Sequence, residues 1–476
     1  MADDSRPAPL LSVEAKTATA SEASAPRSDS PPPQQHDPPG PRTFFIRTFG
    51  CQMNEADSSE IRDLLLARGL RETADPATAD VVIVNTCVVR RKAEIKALNF
   101  ILELKNWKKE DPTHRRLAVM GCLAAKEQKA LEARLTHVDA VIPGKDIARM
   151  KRMVADLLPE DRDLLPQLTR ASVNNVTGFV TVIRGCNHAC SFCIVPYVRG
   201  AELSTPPGEV VRQVRELVAS GAREVYLLGQ SVLDYGRDLD PPINLQTLLE
   251  IVHEAVPHLR RIRFITSHPK DLTLDFVQRV KALPRVAEYI HIPIQSGSNR
   301  ILDVMRREIT VEEYKDKVAM IRAELPHAAI SSDIIIGHPG ETDEDFEGTM
   351  RLLEDTQLDA SFVFKYSPRE HTLSALKWGD PVPPEVKERR FNCFYARLKE
   401  IVHARNQRLV GSTAEVLVES VEDGMAKGRL RDYRMAHLPL GTQPSAVRPG
   451  AFLNVKIVRA GIWTLSAEKV TGTFMG

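Results

Sequence analysis

Three cysteines recur at intervals of about one strand–helix unit: Cys51, Cys87 and Cys122 stand 36 and 35 residues apart. Each closes a short β-branched run. Thr43-Phe-Phe-Ile-Arg-Thr-Phe49 leads into Gly50-Cys51, Asp80-Val-Val-Ile-Val-Asn-Thr86 into Cys87, and Arg116-Leu-Ala-Val-Met120 into Gly121-Cys122. A fourth run, Val138-Asp-Ala-Val-Ile142, ends at Pro143-Gly144. The helix after the first run is predicted to take Asn54 as its cap, with Ile61, Leu64, Leu65 and Leu66 on its apolar side. Strands joined by right-handed crossovers place their carboxyl ends on one edge of a parallel sheet, where ligands bind. Three thiols remote in sequence are therefore predicted to meet in space. A lone buried cysteine behaves as a small hydrophobe, but three at equivalent positions point to a metal centre. Cys393, inside the helical stretch Glu388-Arg-Arg-Phe-Asn-Cys-Phe-Tyr395, has no thiol nearby in sequence and is predicted to be core.

A second set of thiols is local. The strand Gly178-Phe-Val-Thr-Val-Ile183 runs into Arg184-Gly-Cys-Asn-His-Ala-Cys-Ser-Phe-Cys193, which spaces Cys186, Cys190 and Cys193 as C-x3-C-x2-C. Soft thiolates favour zinc or iron–sulfur clusters. Zinc usually completes a tetrahedron with a fourth Cys or His, and His188 is poorly placed to close the same site. Three ligands to a four-iron cluster instead leave one iron open. A zinc knuckle or a purely structural cluster is the bland alternative. Five further strands follow: Arg223–Leu228, Arg261–Thr266, Tyr289–Ile294, Ser332–Ile336 and Ser361–Tyr366. Six strand–helix units predict an incomplete parallel barrel, open on one side, with its site at the carboxyl ends of the strands. Gly229-Gln230, Gln295-Ser-Gly-Ser298 and Gly337-His-Pro-Gly-Glu341 occupy such ends.

A chain of 476 residues needs two or three cores. Its net charge of +1 excludes a global electrostatic pull on nucleic acid. No apolar run reaches the ~20 residues that cross a bilayer, so no membrane association is expected. Seven cysteines, three of them clustered, suit metal binding in a reducing, cytoplasmic compartment. Residues 1–42 are dominated by Ala, Ser, Pro and Asp and are expected to be a disordered tail without targeting character. Pro159 to Ala171 reads as a polar connection between domains. From about Gly411 short β runs predict a small closed barrel. There Lys427-Gly-Arg-Leu-Arg-Asp-Tyr-Arg434 interleaves Lys427, Arg429, Arg431 and Arg434 with Tyr433, a pattern suited to phosphates and stacked bases. A solvated loop would carry the same residues.

The C-x3-C-x2-C loop resembles the signature of the radical S-adenosyl-L-methionine (SAM) enzymes, whose open iron binds SAM. With Thr48-Phe-Gly-Cys-Gln-Met-Asn54, Asn85-Thr-Cys-Val-Val-Arg90 and Gly121-Cys122 upstream, the chain resembles the radical SAM methylthiotransferase family from about Thr43 to Thr471. The resemblance implies an α/β protein with a flavodoxin-like N-terminal domain (43–158), a partial (β/α)6 radical SAM barrel (172–405) and a C-terminal TRAM-like RNA-binding β-barrel (409–472). It implies two 4Fe-4S clusters, one on Cys186, Cys190 and Cys193 and an auxiliary one on Cys51, Cys87 and Cys122. SAM contacts are expected from Phe192, Gly229, Gln230, Gln295, Ser296 and Arg307, and RNA contacts from Lys427, Arg429, Arg431, Tyr433 and Arg434. The run Phe179–Asn187 with Phe192–Gly200 is closer to the branch that methylthiolates carbon 2 of N6-isopentenyladenosine beside the tRNA anticodon. Partners implied are tRNA, SAM, a sulfur source and an electron donor such as flavodoxin or ferredoxin. The chain departs from that branch at Ala201, Leu203, Gly229–Asp234, His338 and Ser367–His371. Threonylcarbamoyladenosine in tRNA or a ribosomal-protein aspartate are rival substrates, and an RNA-binding iron–sulfur scaffold or electron carrier is the rival of another class.

Overall fold

Valine and isoleucine at every position of Val81–Val84 mark a strand covered on both faces, and that strand is the middle of the first sheet. The structure, a computed structural model, describes residues 42–158, 176–441 and 447–475. The expected tail and the Pro159–Ala171 connection lie outside those residues. The first domain runs β1 (Thr43–Thr48), α1 (Gln52–Ala67), β2 (Arg71–Glu72), β3 (Val81–Thr86), α2 (Arg91–Glu110), β4 (Arg116–Gly121), α3 (Cys122–Arg134), β5 (Ala140–Pro143) and α4 (Ile147–Asp156). All pairs are parallel in the order β2-β1-β3-β4-β5, the flavodoxin-like arrangement. One apolar layer joins Ile61, Leu64 and Leu65 of α1 to Met150 and Val154 of α4; the other holds Ile101, Leu104 and Trp107 of α2 with Leu123 of α3. The cap of α1 differs from expectation. Cys51, not Asn54, precedes the helix, and Asn54 lies in its first turn with its side chain turned inward.

The middle domain runs β6 (Thr177–Thr181), β7 (Ile183–Arg184), α5 (Val195–Arg199), β8 (Leu203–Ser204), α6 (Pro207–Ala219), β9 (Glu224–Leu228), α7 (Leu245–Ala255), β10 (Arg261–Ile265), α8 (Leu274–Ala282) and β11 (Tyr289–His291). It continues through α9 (Asn299–Val304), α10 (Val311–Glu324), β12 (Ala329–Ile336), α11 (Asp343–Thr356), β13 (Ala360–Lys365), α12 (Leu373–Trp378) and α13 (Pro384–Gln407). Parallel sheets β6-β9-β10 and β11-β12-β13 are linked by a parallel bridge between Ile262 and Val286. The result is a six-stranded arc, and among the described residues no strand joins β13 back to β6. The N-terminal domain meets both flanks of this gap. α1 packs on β6, and Arg369 beyond β13 donates to the Val89 carbonyl (3.1 Å) and to Glu94 (3.3 Å) at the start of α2. On α13 the buried stripe is Lys387, Arg390, Phe394, Leu398 and Ile401; Cys393 falls off it and is exposed, contrary to the core placement expected.

The last domain is a closed barrel of β14 (Thr413–Glu422), β15 (Met425–Leu430), β16 (Met435–Pro439), β17 (Phe452–Ala460) and β18 (Thr464–Met475), ordered β14-β15-β16-β18-β17. Its β15–β16 turn carries most of the stripe expected to meet RNA; there Arg429, Arg431, Tyr433 and Arg434 take partners within the protein, while Lys427 pairs with Glu422 and stays the most exposed of the four cations. Tyr433 has a left-handed backbone (φ 77°) and stacks on Tyr289 of β11 with ring centroids 4.6 Å apart. Arg429 lies over the Tyr433 ring and pairs with Glu419 (3.0 Å). Arg431 donates to the Val286 carbonyl (2.8 Å), and Arg434 to Asp359 (2.6 Å) and Asn406 (2.7 Å). Side-chain exposure orders the four cations as Lys427 39%, Arg431 31%, Arg429 28% and Arg434 14%. Charge and aromatic spacing were legible in sequence, but the acceptors that draw these groups into the seam were not.

Arg434 therefore holds the barrel to the core. Arg434→Ala should cost on the order of 2 kcal/mol, less than a fully buried broken pair because Asp359 keeps Arg405. Lys427→Ala should stay within about 0.5 kcal/mol of the parent. Urea unfolding midpoints check both, and equal effects would return Arg434 to the open surface.

Candidate metal centres at the domain seam

The first centre forms where β1, β3 and β4 end. Cys51 caps α1, Cys87 follows β3, and Cys122 opens α3, so three strand ends deliver three thiols to one edge. Asn54 and Asn85 lock the edge together. Asn54 Nδ2 donates to Asn85 Oδ1 (2.9 Å) and the Thr86 carbonyl (3.0 Å), and its Oδ1 accepts from Cys51 N (3.4 Å). Asn85 Nδ2 donates to the Asn54 carbonyl (2.8 Å) and Ser58 (3.0 Å). Gly121 is required by two constraints: φ is 98°, and a Cβ there would lie 2.4 Å from Asn85 Oδ1. Burial pushes the Cys87 thiol up to about 11, and the neighbouring Cys122 and Cys51 add to the shift. Burial also raises Cys122. Thiols placed this way resist becoming thiolates unless a cation shares them, which fits a metal cluster.

The second centre lies on the loop leaving β7. Gly185, at φ 85°, admits the turn; a Cβ would stand 2.0 Å from the Ala201 carbonyl oxygen. Cys186 N donates to the Gly200 carbonyl (3.2 Å), and Ser191 N to the Met305 carbonyl (3.0 Å). Burial pushes Cys186 and Cys193 up to about 12, with the other loop thiols contributing. The donor set again suits a cationic cluster. His188 brings a ring nitrogen within 4.8 Å of Cys186 and Glu202, while its Nε2 pairs with Asp234 (2.9 Å) and its ring stacks on His268 at 4.2 Å. Arg237 neutralises the carboxylates of this knot by pairing with Asp234 and with Asp271 (2.9 Å).

The residues expected to touch SAM surround this loop. Gln230 Oε1 accepts from Gly185 N (2.6 Å), which fixes the loop's entry. Gly229 packs under Ile183 so closely that a Cβ would meet its Cγ2 at 2.4 Å. Gln295 adopts φ 86° and bridges to Ile334, while Ser296 is buried beside it. Arg307 donates to Cys190 Sγ (3.2 Å) and to the Pro293 carbonyl. Phe192 meets His338 edge-on at 6.4 Å. Burial holds His338 neutral, down to about 4, and its Nε2 reaches Ser191 through Ser374 (3.0 and 2.9 Å). Burial lifts Glu341 to about 7, although Arg390 donates to it at 2.7 Å.

Between the two centres lies an ion cluster that sequence reading missed. Asp57 of α1 is wholly buried and accepts from Arg184 Nη2 (2.7 Å) and Arg199 Nη1 (2.6 Å). Burial alone would raise Asp57, but the two guanidiniums hold it below the usual carboxylate range. The partners stand 127 and 142 residues apart, so no periodicity links them. The available signal was two arginines flanking a cysteine loop.

Comparison with known proteins agrees with this geometry. Residues 180–353 match the Radical SAM superfamily, and residues 43–143 match the uncharacterized protein family UPF0004. A Desulfotalea psychrophila protein named tRNA-2-methylthio-N(6)-dimethylallyladenosine synthase is 40% identical over 452 residues, covering 90% of this chain and 99% of that protein. A Clostridium botulinum protein of the same name is 37% identical over 442 residues, covering 90% and 97%. Among solved structures, the radical S-adenosylmethionine methyltransferase TsrM from Kitasatospora setae, with cobalamin and a 4Fe-4S cluster bound, aligns at TM-score 0.51 and 12% identity. It covers 81% of this chain and 80% of that one, a likeness of fold.

Gly121 offers a test of the first centre's geometry. Gly121→Ala should add about 1–3 kcal/mol of backbone strain and also push Asn85 off the cysteine edge, lowering iron bound after reconstitution. Gly411→Ala, at φ 91° with nothing within 4 Å of its Cβ, carries backbone strain only and should keep parental iron. Iron assay of the two variants decides; equal iron would show that the Asn85 contact does not shape the site.

Proposed function

We propose that this chain, which belongs to the tRNA-2-methylthio-N(6)-dimethylallyladenosine synthase family, places a methylthio group on carbon 2 of N6-isopentenyladenosine beside the anticodon of tRNA. It is a radical SAM methylthiotransferase. The observation that carries the reading is the pair of thiol triads on one seam, in a chain aligned along nearly the whole of its curated relatives. An aromatic C–H bond is too weakly acidic for any side-chain base, so the reaction needs a cofactor radical.

A 4Fe-4S centre on Cys186, Cys190 and Cys193 supplies, when bound, the electron that cleaves SAM. We assign a second 4Fe-4S centre to Cys51, Cys87 and Cys122, on the side from which sulfur is delivered. The chain's own residues position these parts. Arg307 holds Cys190 and the Pro293 carbonyl in one fork. Gln230 fixes the start of the loop. Phe192, Gly229, Gln295 and Ser296 line the strand ends where SAM is placed in this reading. No helix among the described residues is long and apolar enough to cross a membrane; the cytoplasm is the compartment we assign, from the tRNA substrate of this reading. A sulfur source and a reductant such as flavodoxin or ferredoxin complete the partners. We divide the chain into domains at 43–158, 172–405 and 409–472.

Anaerobically reconstituted protein should hold about eight irons per chain, from two four-iron clusters. Cys190→Ala should abolish deoxyadenosine formation, whereas Cys87→Ala should leave some SAM cleavage and lose sulfur insertion. Deoxyadenosine at parental rates in Cys190→Ala would remove the central loop from the reaction. Nucleoside mass spectrometry of tRNA from cells lacking the gene tests the substrate. Loss of the 2-methylthio form with accumulation of N6-isopentenyladenosine is expected; unchanged isopentenyladenosine with loss of a methylthiolated threonylcarbamoyladenosine would move the enzyme to its rival substrate.

A further inference from the structure

Arg199 belongs by sequence to the SAM core, yet its guanidinium serves the other domain's thiols. α5 carries it there: Ile194 and Val198 are buried in the same apolar layer as Cys122 and Leu123, which seats the helix against α3. Arg199 Nε donates to Cys122 Sγ at 3.3 Å, and Nη1 to Asp57 (2.6 Å) and the Gly144 carbonyl (3.3 Å). The side chain is 2% exposed, and buried Nη2 has no partner among the described residues. Charge is equally unfinished. Arg184 and Arg199 face the single carboxylate of Asp57, leaving one positive charge in excess in a buried pocket. A buried, unpartnered cationic donor is costly unless an anion meets it. Among the described residues, the negative charge that adjoins Arg199 besides Asp57 is the cysteine edge, Cys122 and Cys51.

We infer that Arg199 is a positioning residue of the upstream metal centre, supplied by the SAM core: it hydrogen-bonds the Cys122 thiolate and keeps Nη2 for anionic sulfur held on that triad. The centre is thus assembled from two domains, and the loop bearing Cys186, Cys190 and Cys193 must be seated before its neighbour is complete. N–H donors to cluster sulfur and nearby positive charge stabilise the reduced, more negative state and raise the reduction potential.

The inference rests on the two-cluster reading above, and its test separates the two. In the full-length chain with Cys186, Cys190 and Cys193 replaced by Ala, only the upstream centre can load. Failure of this parent to load iron would overturn both readings. Given a loaded parent, Arg199→Gln should shift the EPR-monitored midpoint to more negative potential and release iron to a chelator about tenfold faster or more. Arg199→Lys keeps the charge and should fall between. Arg184→Gln removes the other arginine on Asp57, which makes no contact with Cys122, and should change potential and iron release several-fold less than Arg199→Gln does. Loss of iron in Arg199→Gln but not in Arg184→Gln also supports the assignment. Parental potential and iron release in Arg199→Gln, or equal changes in both variants, would overturn it.

Discussion

One buried carboxylate sets how the two domains that carry the cysteine triads meet. Asp57 receives an arginine from the strand before the cysteine loop and another from the helix after it, so both ends of that loop are referred to α1. α1 in turn begins at Cys51. Removing one partner from such a buried group typically costs about 3–5 kcal/mol, a large share of a domain's net stability. Replacing the cluster with apolar side chains would stabilise the contact as well or better. What the ions add is register: fixed lengths and directions that apolar packing lacks. The two-centre function proposed above needs that register, because it carries sulfur from one centre to a site activated at the other.

The SAM core uses the same device at its opposite end. Along β9, Val225 and Leu227 face the helices, while Glu224, Tyr226 and Leu228 face the inside of the arc. An open barrel exposes that inner face, and here it is covered from two directions. Met53 and Ala56 of α1 pack on Tyr226 and Leu228. The β15–β16 turn brings Tyr433, whose hydroxyl accepts from Gln52 Nε2 (3.3 Å), one residue from Cys51. Glu224 holds Arg263 (2.6 Å) and Arg261 (3.3 Å), and these two donate onward to the carbonyls of Leu430, Arg431 and Arg429. The inner face that six strands leave open is thus completed by the other two domains.

Most of the architecture was legible because it rests on local patterns. Strand runs such as Val81–Val84 are continuous and apolar, and the cysteines fall at repeating intervals, so parallel order and the meeting of three thiols follow from crossover handedness. The two-residue β2 and the five-residue β16 carry too little pattern to read, and β15 was masked by its charge. The cap of α1 was misread because a cysteine took the place where Asn54 would ordinarily serve, freeing Asn54 to bind the neighbouring strand end. Cys393 was misread because an absent thiol partner says nothing about which face of a helix a residue occupies. The family resemblance added the cofactors, which no spacing alone supplies.

The Lys427–Arg434 stripe shows where reading by charge stops. Sequence displays donors and aromatic faces but hides the acceptors, and an arginine's five donors suit buried carbonyls as readily as phosphates. With 64 Lys and Arg against 63 Asp and Glu, carboxylates are numerous enough for many of the cations to find one within the protein. Arg434 finds Asp359, Arg429 finds Glu419, and Arg261 and Arg263 find Glu224. The core-to-barrel bonds also end largely on backbone carbonyls, which every residue type provides. The barrel is therefore held through its backbone as well as through Tyr433 and Arg434, the side chains it sends against the core.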